Sequence, residues 1–518
     1  MKDLSRGALL VLTAVTVGTL QADIDWKALN AQARAEAKVP VHAGVPGKIP
    51  FWNGSSKAFI HPPAFDVSVV PGCASYDFTL TDDAGTVRGR WTAAHPWKPV
   101  PGDVWDALPP TYYTLKVGTA KECLFTRRFY RAAVFKGPYP PAARPYREAA
   151  RRVYAAVFAM PHVQGWLTHN EPPEGYDLYC YPAKTLSAMI RALCRHASAE
   201  PKDAARAKAI ACRMADWLIA QSQPADAAFA HFPPTYWGTR RDISVKNAGL
   251  CKLLYPAHAA NAFFDLADAT GEEKYRAAAC AIARTYSRIQ GADGTWPLKA
   301  REKDGTPTRE NRLLPGRYFL RMFNLAFIAT DDAAFTNARD RAFAFIQSGP
   351  LRTWNWDGQF EDMDPMPAYK NLQKGVAVDT LHHLYALAGA GSDYLTREIV
   401  DWCEDQFTVW SDPIHHMDWK NWKTPTALEQ YDYYTPIDAS MADMISAFAA
   451  TYAERGDILA REKAKALADN LTRHQRPDGT IPTYFDSRKG SDWVNCMVYA
   501  ADRLEYLAEV LETPPRRR

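Results

Sequence analysis

Helical segments recur at a nearly constant interval through most of this chain. Amphipathic segments begin near residues 143, 202, 272, 332, 392 and 457, so consecutive starts are about 60 residues apart. Between them lie six more apolar segments, at about 181–197, 245–268, 314–330, 372–390, 434–453 and 491–511. Repetition at this period implies stacked helical hairpins, because each helix must bury its apolar face against a neighbour.

The exit from the first helix of a hairpin is also repeated in sequence. Residues 293–297 read Asp-Gly-Thr-Trp-Pro, and residues 478–482, which lie 185 positions later, read Asp-Gly-Thr-Ile-Pro. That distance corresponds to about three of the repeating units. The repetition therefore supports one architecture for the whole of residues 143–512.

Stacked hairpins form either an open or a closed array. An open array needs polar caps at its ends, whereas a ring that joins its first repeat to its last needs none. Six hairpins close well, so the sequence predicts a mainly α protein with an (α/α)6 toroid at residues 143–512. The second helix of each pair is expected to line the inside. The alternative is an open helical-repeat scaffold that binds other proteins.

Residues 40–135 have a different pattern. Short alternating segments, such as Ser75–Thr81 and Tyr112–Val117, are separated by turns rich in Asp, Gly and Pro. The run Trp105–Val117 resembles the late strands of fibronectin type III and immunoglobulin-like modules. This resemblance implies a small β-sandwich domain at residues 40–135, preceding the toroid.

The N-terminus has the features of a secretory signal. Lys2 and Arg6 precede the apolar run Ala8–Leu20, and Leu20-Gln21-Ala22 fits a cleavage site. We therefore predict a signal peptide at residues 1–22 and a secreted or periplasmic protein. No later stretch of the sequence is long and apolar enough for a membrane span.

The distribution of charge argues against nucleic acid as a partner. The formal net charge is +4, of which residues 1–22 supply +1 and residues 516–518 supply +3, so the rest of the chain nets zero. A nucleic-acid binder normally has a broad basic surplus. The nine cysteines and thirteen histidines show no zinc-binding spacing. We predict neither a metal nor a cofactor.

Aromatic and charged residues concentrate in the six loops that lead into the second helices. In a closed ring these helices begin at one mouth, where their free N–H groups favour anions. Residues 299–321 have a net charge of +4, whereas residues 353–369 contain four acids and no base. Aromatic rings that stack on sugars between opposed charges predict a cleft for an acidic polysaccharide or oligosaccharide, such as a uronate glycan.

An exported chain with a β module and an α/α toroid resembles the α/α-toroid carbohydrate-active enzymes, in particular polysaccharide lyases. A looser likeness to the helical domain of D-glucuronyl C-5 epimerases is carried by Gly294–Pro297, Gln359–Asp362 and Tyr431–Thr435. The lyase resemblance implies a Tyr or His base, an Asn or Arg that neutralises the substrate carboxylate, and aromatic subsites. Lyase and epimerase both begin by removing the C-5 proton of a uronate.

The residues that fit these roles lie in the loops and in the second helices. A base must reach the proton, and a cation or amide must stabilise the enolate-like charge that develops. The candidate catalytic residues are Tyr434, Tyr431, Asn247, His258, Arg317 and Tyr236. The candidate substrate-binding residues are Arg240, Arg312, Tyr318, Trp296, Glu361, Tyr369, Trp422 and Trp493.

Four functions fit this pattern. The leading prediction is a polysaccharide lyase that acts by C-5 proton abstraction and β-elimination. The second is a glycoside hydrolase, of the glucuronidase or unsaturated-glucuronyl hydrolase type, that uses two carboxylates. Its candidate carboxylates are Asp177, Glu361, Asp362 and Glu429. The third is a uronate C-5 epimerase, and the fourth is a toroid that binds glycans without catalysis.

Overall fold

A computed structural model describes residues 24–42, 44–308, 311–360, 367–387, 393–412, 423–431, 433–484 and 492–516. The predicted signal peptide and two predicted binding residues, Glu361 and Trp422, lie outside these ranges. Most of the described chain is helical, with a small β-sheet region near its N-terminus. Among the described helices, none combines the length and apolar character needed to cross a membrane.

Twelve long helices of the described chain alternate between an outer and an inner layer. The outer helices are α2 (Tyr146–Ala159), α4 (Ala204–Ala220), α6 (Glu273–Ile289), α8 (Ala333–Ser348), α10 (Asp393–Phe407) and α12 (Ile458–His474). The inner helices are α3 (Pro182–Ala199), α5 (Tyr255–Thr270), α7 (Arg317–Thr330), α9 (Gly375–Leu387), α11 (Asp438–Arg455) and α13 (Val494–Glu512). Helix α1 (Trp26–Glu36) precedes them, and single helical turns occupy Gly102–Asp106, Pro161–Gln164, Asp242–Lys246 and Pro350–Thr353.

The inner helices form a closed ring. Each contacts the next in chain order, and α13 returns to pack on α3 and on the first outer helix, α2. Helices α5 and α11 are rich in buried alanines, whose small side chains allow neighbouring backbones to approach on nearly every side. These contacts confirm the predicted ring of six helical pairs, with the second helix of each pair inside, and exclude the open scaffold.

The repeated turn sequence ties outer helices to each other. Gln290 follows α6, and its side-chain amide donates hydrogen bonds to the carbonyls of Gly294 (2.7 Å) and Ala338 of α8 (2.9 Å). Gln475 follows α12 and makes the same two bonds: its side-chain amide donates to the carbonyl of Gly479 in its own turn and to the carbonyl of Ala149 of α2, both at 2.8 Å. The second copy of the turn therefore joins the last outer helix to the first.

The N-terminal region contains one five-stranded sheet. Its strands are β1 (Ala58–Phe59), β2 (Tyr76–Asp82), β3 (Val87–Ala93), β4 (Tyr112–Gly118) and β5 (Cys123–Arg131), in the order β1-β5-β4-β2-β3. Strand β1 runs parallel to β5, and the other pairs are antiparallel. Within the ring, β6 (Leu250–Lys252) pairs with β7 (Lys299–Arg301), and β8 (Thr408–Val409) pairs with β9 (Thr426–Ala427).

The apolar face of the five-stranded sheet is covered by connecting segments. Phe129 of β5 lies 5.8 Å from Phe65 and 6.0 Å from Trp105, measured between ring centroids. Both of those residues belong to segments between strands. All described strands before residue 135 belong to this one sheet, so the predicted two-sheet sandwich is not confirmed.

The sheet region is anchored to the ring through a buried carboxylate. Asp405 of α10 accepts hydrogen bonds from the backbone N–H groups of Ile60 (2.5 Å) and His61 (2.8 Å), next to β1. Nearby, Trp52 meets Trp402 of α10 edge to face, with 6.1 Å between the ring centroids. The N-terminal region and the ring therefore share one apolar core.

We predict that Gly294→Ala and Gly479→Ala destabilise the ring strongly. Both glycines have positive φ (88° and 90°), and an added Cβ would collide with the carbonyl oxygens of Arg341 and Arg152. Each variant should lose ~1–2 kcal/mol from backbone strain and a further ~1–3 kcal/mol from overpacking. Chemical denaturation measures the free energy of unfolding.

The matched control is Gly271→Ala. Gly271 also has a positive φ, 77°, but no atom lies within 4 Å of the added Cβ. This control should show the strain alone. Equal losses in all three variants would contradict the close contact between these turns and the neighbouring outer helices.

Candidate active site

A cavity of about 640 Å³ opens at the end of the ring where the inner helices begin. Every inner helix contributes a lining residue from its first two turns. These residues are Lys184, His258, Tyr318, Asp379, Asp443 and Tyr499. The inner-helix N-termini therefore meet at one cavity, and its size is typical of sites for small organic ligands.

Asp379 of α9 caps the neighbouring inner helix α7. Its Oδ2 accepts a hydrogen bond from the backbone N–H of Arg317 (3.0 Å), and its Oδ1 lies 3.6 Å from Nε of the same residue. A carboxylate in this place is favoured by the partial positive charge of the helix N-terminus. The guanidinium of Arg317 also lies over the rings of Tyr499 (4.4 Å) and Tyr318 (5.1 Å). Arg317 is thus held from three sides.

A second carboxylate, Asp443 of α11, lines the same cavity. The hydroxyl of Tyr499 donates a hydrogen bond to its Oδ1 at 2.7 Å. Burial raises the pKa of Asp443, while the positive charge of Lys374 opposes that rise. Burial raises the pKa of Asp379 to about 6; Arg317 opposes the rise and the charge of Asp443 adds to it. The cavity thus holds two acidic groups whose environments favour the protonated form.

Three stacked aromatic rings line the cavity, those of His258, Tyr318 and Trp493. His258 lies flat on Tyr318, with 3.8 Å between ring centroids and an interplanar angle of 17°. Trp493 stacks on Tyr181, with 5.7 Å between centroids, and Nζ of Lys184 lies 4.2 Å from the centre of the tryptophan ring. Flat rings beside polar groups suit the faces of sugar rings.

A loop of the ring forms another part of the wall. This wall loop, residues 428–431 and 433–437, contributes Glu429 and Gln430 to the lining. Nζ of Lys374 donates hydrogen bonds to the carbonyls of Leu428 (2.6 Å) and Glu429 (3.5 Å) from below the loop. Burial lowers the pKa of Lys374 to about 8. The start of α9 therefore supports the base of the wall loop through a buried amine.

Two side-chain amides of the lining carry oxygens without a hydrogen-bond partner in the described part of the protein. They are Oε1 of Gln430 and Oδ1 of Asn495, and both atoms are buried. A buried acceptor without a donor costs roughly 1–3 kcal/mol.

The charges of the lining are balanced. Lys184, Arg191 and Arg317 give +3, and three acids (Asp379, Glu429 and Asp443) give −3. Arg191 is itself paired with acids outside the cavity, Asp265 (3.2 Å) and Asp502 (2.6 Å). Residues 299–321, whose net positive charge led us to expect them at the site, contribute only their last part, around Arg317, to the lining.

The structure brings five of the fourteen predicted site residues to the cavity. They are His258, Arg317, Tyr318, Tyr431 and Trp493. Tyr431 contributes its ring only, because its hydroxyl is bound to Ser56 (2.7 Å) and Gln406 (2.5 Å) on the side of the N-terminal region.

The predicted base Tyr434 and two predicted binding arginines lie away from the cavity. The hydroxyl of Tyr434 donates to the carbonyl of Ser55 (3.1 Å) in the N-terminal region. Arg240 donates to three backbone carbonyls of residues 172–176, which orders a neighbouring loop. Arg312 is paired with Asp293 (2.6 Å) at the repeated turn. These three residues have structural partners instead of a place in the lining.

Four more predicted residues also pack elsewhere. Asn247 accepts a hydrogen bond from Nζ of Lys299 (2.7 Å), and the same Nζ lies 5.5 Å above the ring of Tyr236. Trp296 is fully buried in the ring core, and the hydroxyl of Tyr369 donates to the carbonyl of Thr353 (2.9 Å). These residues shape the loops around the cavity without lining it.

Asp379, Asp443 and Tyr499 are not among the site residues predicted from the sequence. The predicted residues come from the loops and from the first turns of the second helices, whereas these three residues lie in the second turn of α9, α11 and α13. A signal was present for Asp379, because a single acid interrupts the apolar run from Gly375 to Leu381. A charge on the inward face of a ring helix needs a partner or a cavity.

Among the described residues, no group of three or more His, Cys, Asp or Glu side chains is placed to hold a metal ion. The chain matches no protein-family model, and no curated protein is significantly similar to it in sequence.

Several solved structures are similar to the chain at low identity. Cellobiose 2-epimerase from Spirochaeta thermophila has 12% identity and a TM-score of 0.49 over 72% of this chain and 100% of that one. A family 76 glycoside hydrolase from a bovine Bacteroides thetaiotaomicron strain has 11% identity and a TM-score of 0.45 over 85% and 93%. An unsaturated glucuronyl hydrolase specific for heparin has 10% identity and a TM-score of 0.44 over 72% and 98%. At these values the likeness assigns neither an activity nor a substrate to this chain.

We predict that Gly316→Ala disturbs the cap that Asp379 makes on α7. The backbone of Gly316 suits any residue (φ −84°), but an added Cβ would lie 2.5 Å from Oδ2 of Asp379. Because the N–H of Arg317 lowers the pKa of Asp379, breaking that hydrogen bond should raise the pKa above about 6. Carboxyl NMR of labelled aspartate measures this pKa.

Gly54→Ala is the control for this experiment, since nothing lies within 4 Å of its added Cβ. An Asp379 pKa that is the same in both variants would contradict the contact between Gly316 and the carboxylate.

Proposed function

We propose that this protein is an enzyme that hydrolyses glycosidic bonds, with Asp379 and Asp443 as its acid and base. The observation that carries this proposal is the pair of carboxyl groups on adjacent inner helices, both in one cavity and both with a pKa raised by burial. Hydrolysis of a glycosidic bond needs one protonated and one ionised carboxyl group on either side of the bond. Environments that shift carboxyl pKa values toward neutrality are the usual way to provide the acid.

The surroundings of the two carboxyl groups favour different roles. Asp379, with a pKa of about 6, keeps its proton into the mildly acidic range and can donate it to the leaving oxygen. The charge of Lys374 and the hydroxyl of Tyr499 both stabilise the ionised form of Asp443. Asp443 is therefore the proposed base or nucleophile.

The rest of the cavity suits a saccharide. The aromatic rings of His258, Tyr318 and Trp493 line the cavity, and flat rings of this kind suit the faces of sugars. The lining also contains polar side chains, among them Glu429 and Gln373, of the kind that hydrogen-bond the hydroxyl groups of a sugar. Because the charges of the lining cancel, the proposal extends to neutral glycans as well as to the uronate glycans expected from the sequence.

A polysaccharide lyase is the second candidate function. His258 lies beside Arg317 in the cavity, with Tyr318 in contact with both, so a base and a cation occur together. In β-elimination the cation would neutralise the uronate carboxylate while the base removed the C-5 proton. Arg317 is already paired with Asp379, which favours hydrolysis over this reaction.

We predict that Asp379→Asn and Asp443→Asn each lower kcat by about 100-fold or more, because the first removes the proposed acid and the second removes the proposed base or nucleophile. Reducing-sugar release from neutral and uronate glycan panels measures the activity. The exposed Asp226, outside the cavity, provides the control variant Asp226→Asn.

The products separate the two candidate functions. Ultraviolet absorbance from a new double bond, retained in Asp379→Asn and lost in His258→Ala, would replace the hydrolase with the lyase. No product from any glycan of the panel with the wild-type protein would contradict both.

We predict a pH dependence set by Asp379. An acid that must be protonated loses activity as pH rises through its pKa, so kcat/KM should fall above a pH of about 6. Arg317 lowers that pKa, and Arg317→Gln should therefore move the fall to higher pH. Arg312→Gln, which removes a guanidinium outside the cavity, should leave it in place. The same profile in both variants would contradict Asp379 as the acid.

A further inference from the structure

The wall loop is supported from behind by the N-terminal region. The hydroxyl of Tyr431 donates to Gln406 of α10 (2.5 Å) and is hydrogen-bonded to the hydroxyl of Ser56 (2.7 Å). Ser56 is buried, with 2% of its surface exposed. A residue 375 positions earlier in the chain thus contacts a loop whose other side lines the cavity.

A second contact holds the other end of the loop. The hydroxyl of Tyr434 donates to the carbonyl of Ser55 (3.1 Å), and Nζ of Lys57 lies 4.6 Å above its ring. Tyr431 and Tyr434 also stack on each other, with 5.7 Å between ring centroids and an angle of 21°. Two tyrosines therefore face the N-terminal region together, and residues 55–57 contact both of them.

The backbone of the wall loop needs this support. Tyr434 has a φ of +36°, which is unfavourable for a residue with a Cβ and persists only when surrounding contacts impose it. Inside the loop, the N–H of Glu429 donates to the carbonyl of Thr435 (2.7 Å), and the N–H of Tyr434 donates to the carbonyl of Gln430 (2.9 Å). These bonds fix the residues that face the cavity relative to the two tyrosines.

The segment that supplies Ser56 is itself rigidly placed. The guanidinium of Arg127, on β5, donates to the carbonyls of Asn53 (3.0 Å) and Ser56 (2.7 Å). Asp405, one residue before Gln406, accepts the two backbone N–H groups that directly follow β1. The sheet and helix α10 therefore present Ser56 and Gln406 as a fixed pair of partners for the hydroxyl of Tyr431.

We infer that Ser56 is a positioning residue of the active site: through Tyr431 it holds the wall loop so that Glu429 and Gln430 face a bound saccharide. The saccharide in this inference rests on the proposed function, whereas the positioning of the loop does not. The N-terminal β region then contributes to substrate binding by supporting one wall of the cavity, and the buried hydroxyl pair of Ser56 and Tyr431 is one of its contacts with that wall.

Hydrogen exchange tests the positioning without any activity. In Ser56→Ala, which loses one buried hydrogen bond, amides of residues 428–431 and 433–437 should exchange about tenfold faster than in the wild type. In Tyr431→Phe, which loses the bonds to both Ser56 and Gln406, they should exchange at least as fast. Ser55→Ala is the matched control, since it keeps the carbonyl that Tyr434 uses. Faster exchange limited to the wall loop supports the inference. Exchange equal to the control, or faster by the same factor in α5 as well, overturns it.

Kinetics on a glycan that the wild type hydrolyses tests the link to binding. Ser56→Ala should raise KM several-fold and change kcat less, because Glu429 and Gln430 contact substrate while Asp379 and Asp443 stay in place. An unchanged KM beside a loosened loop overturns the role in binding. If the wild type hydrolyses no glycan, the proposed function fails, and the exchange experiment still decides the positioning.

Discussion

Closure of the inner ring is the constraint on which the rest of this structure depends. Each inner helix buries its apolar surface against two neighbours, and α13 completes the circle by packing on α3 and α2. Once six helices of this kind point the same way around a circle, their N-termini must meet at one end. The cavity of about 640 Å³ is the space that remains there. Gln475 reinforces the closure because it ties the last outer helix to the first.

The closed ring also explains how charged groups persist near its centre. An isolated charge in such a place would be very unfavourable, so it must be paired or change its protonation state. Arg191 and Arg317 are paired with acids on neighbouring inner helices. For Asp379 and Asp443, burial raises the pKa and so shifts both groups toward the protonated form. Charge pairing in the ring and the raised pKa values in the cavity thus have the same physical origin.

Particular residues show how far the sequence could predict this arrangement. The helical period placed five of the six inner helices within a few residues of their observed starts. The exception is α5, which begins about ten residues later than predicted because residues 242–246 form a short helix and residues 250–252 form strand β6. His258, Arg317 and Trp493 were found because they lie near helix starts, where convergence is a consequence of the ring. Trp296 and Arg312 were misplaced because an aromatic or basic residue in a loop packs equally well on its own turn. The β region kept its predicted strands β2 and β4, but which surface covers their apolar face depends on chain paths that alternation does not encode.

The sequence by itself determined the helical repeat, the alternation of outer and inner helices and the end of the ring at which a site would form. These follow from local periodicity, which each segment expresses regardless of the others. Only the tertiary structure decided which side chains face the cavity. Tyr434 turns away to reach Ser55, whereas Asp379 and Asp443, on separate helices, come to one cavity. The direction of a side chain at a helix start depends on partners hundreds of residues away, as the contact between Ser56 and Tyr431 shows. That information is contained in the packed ring and in the region that supports it.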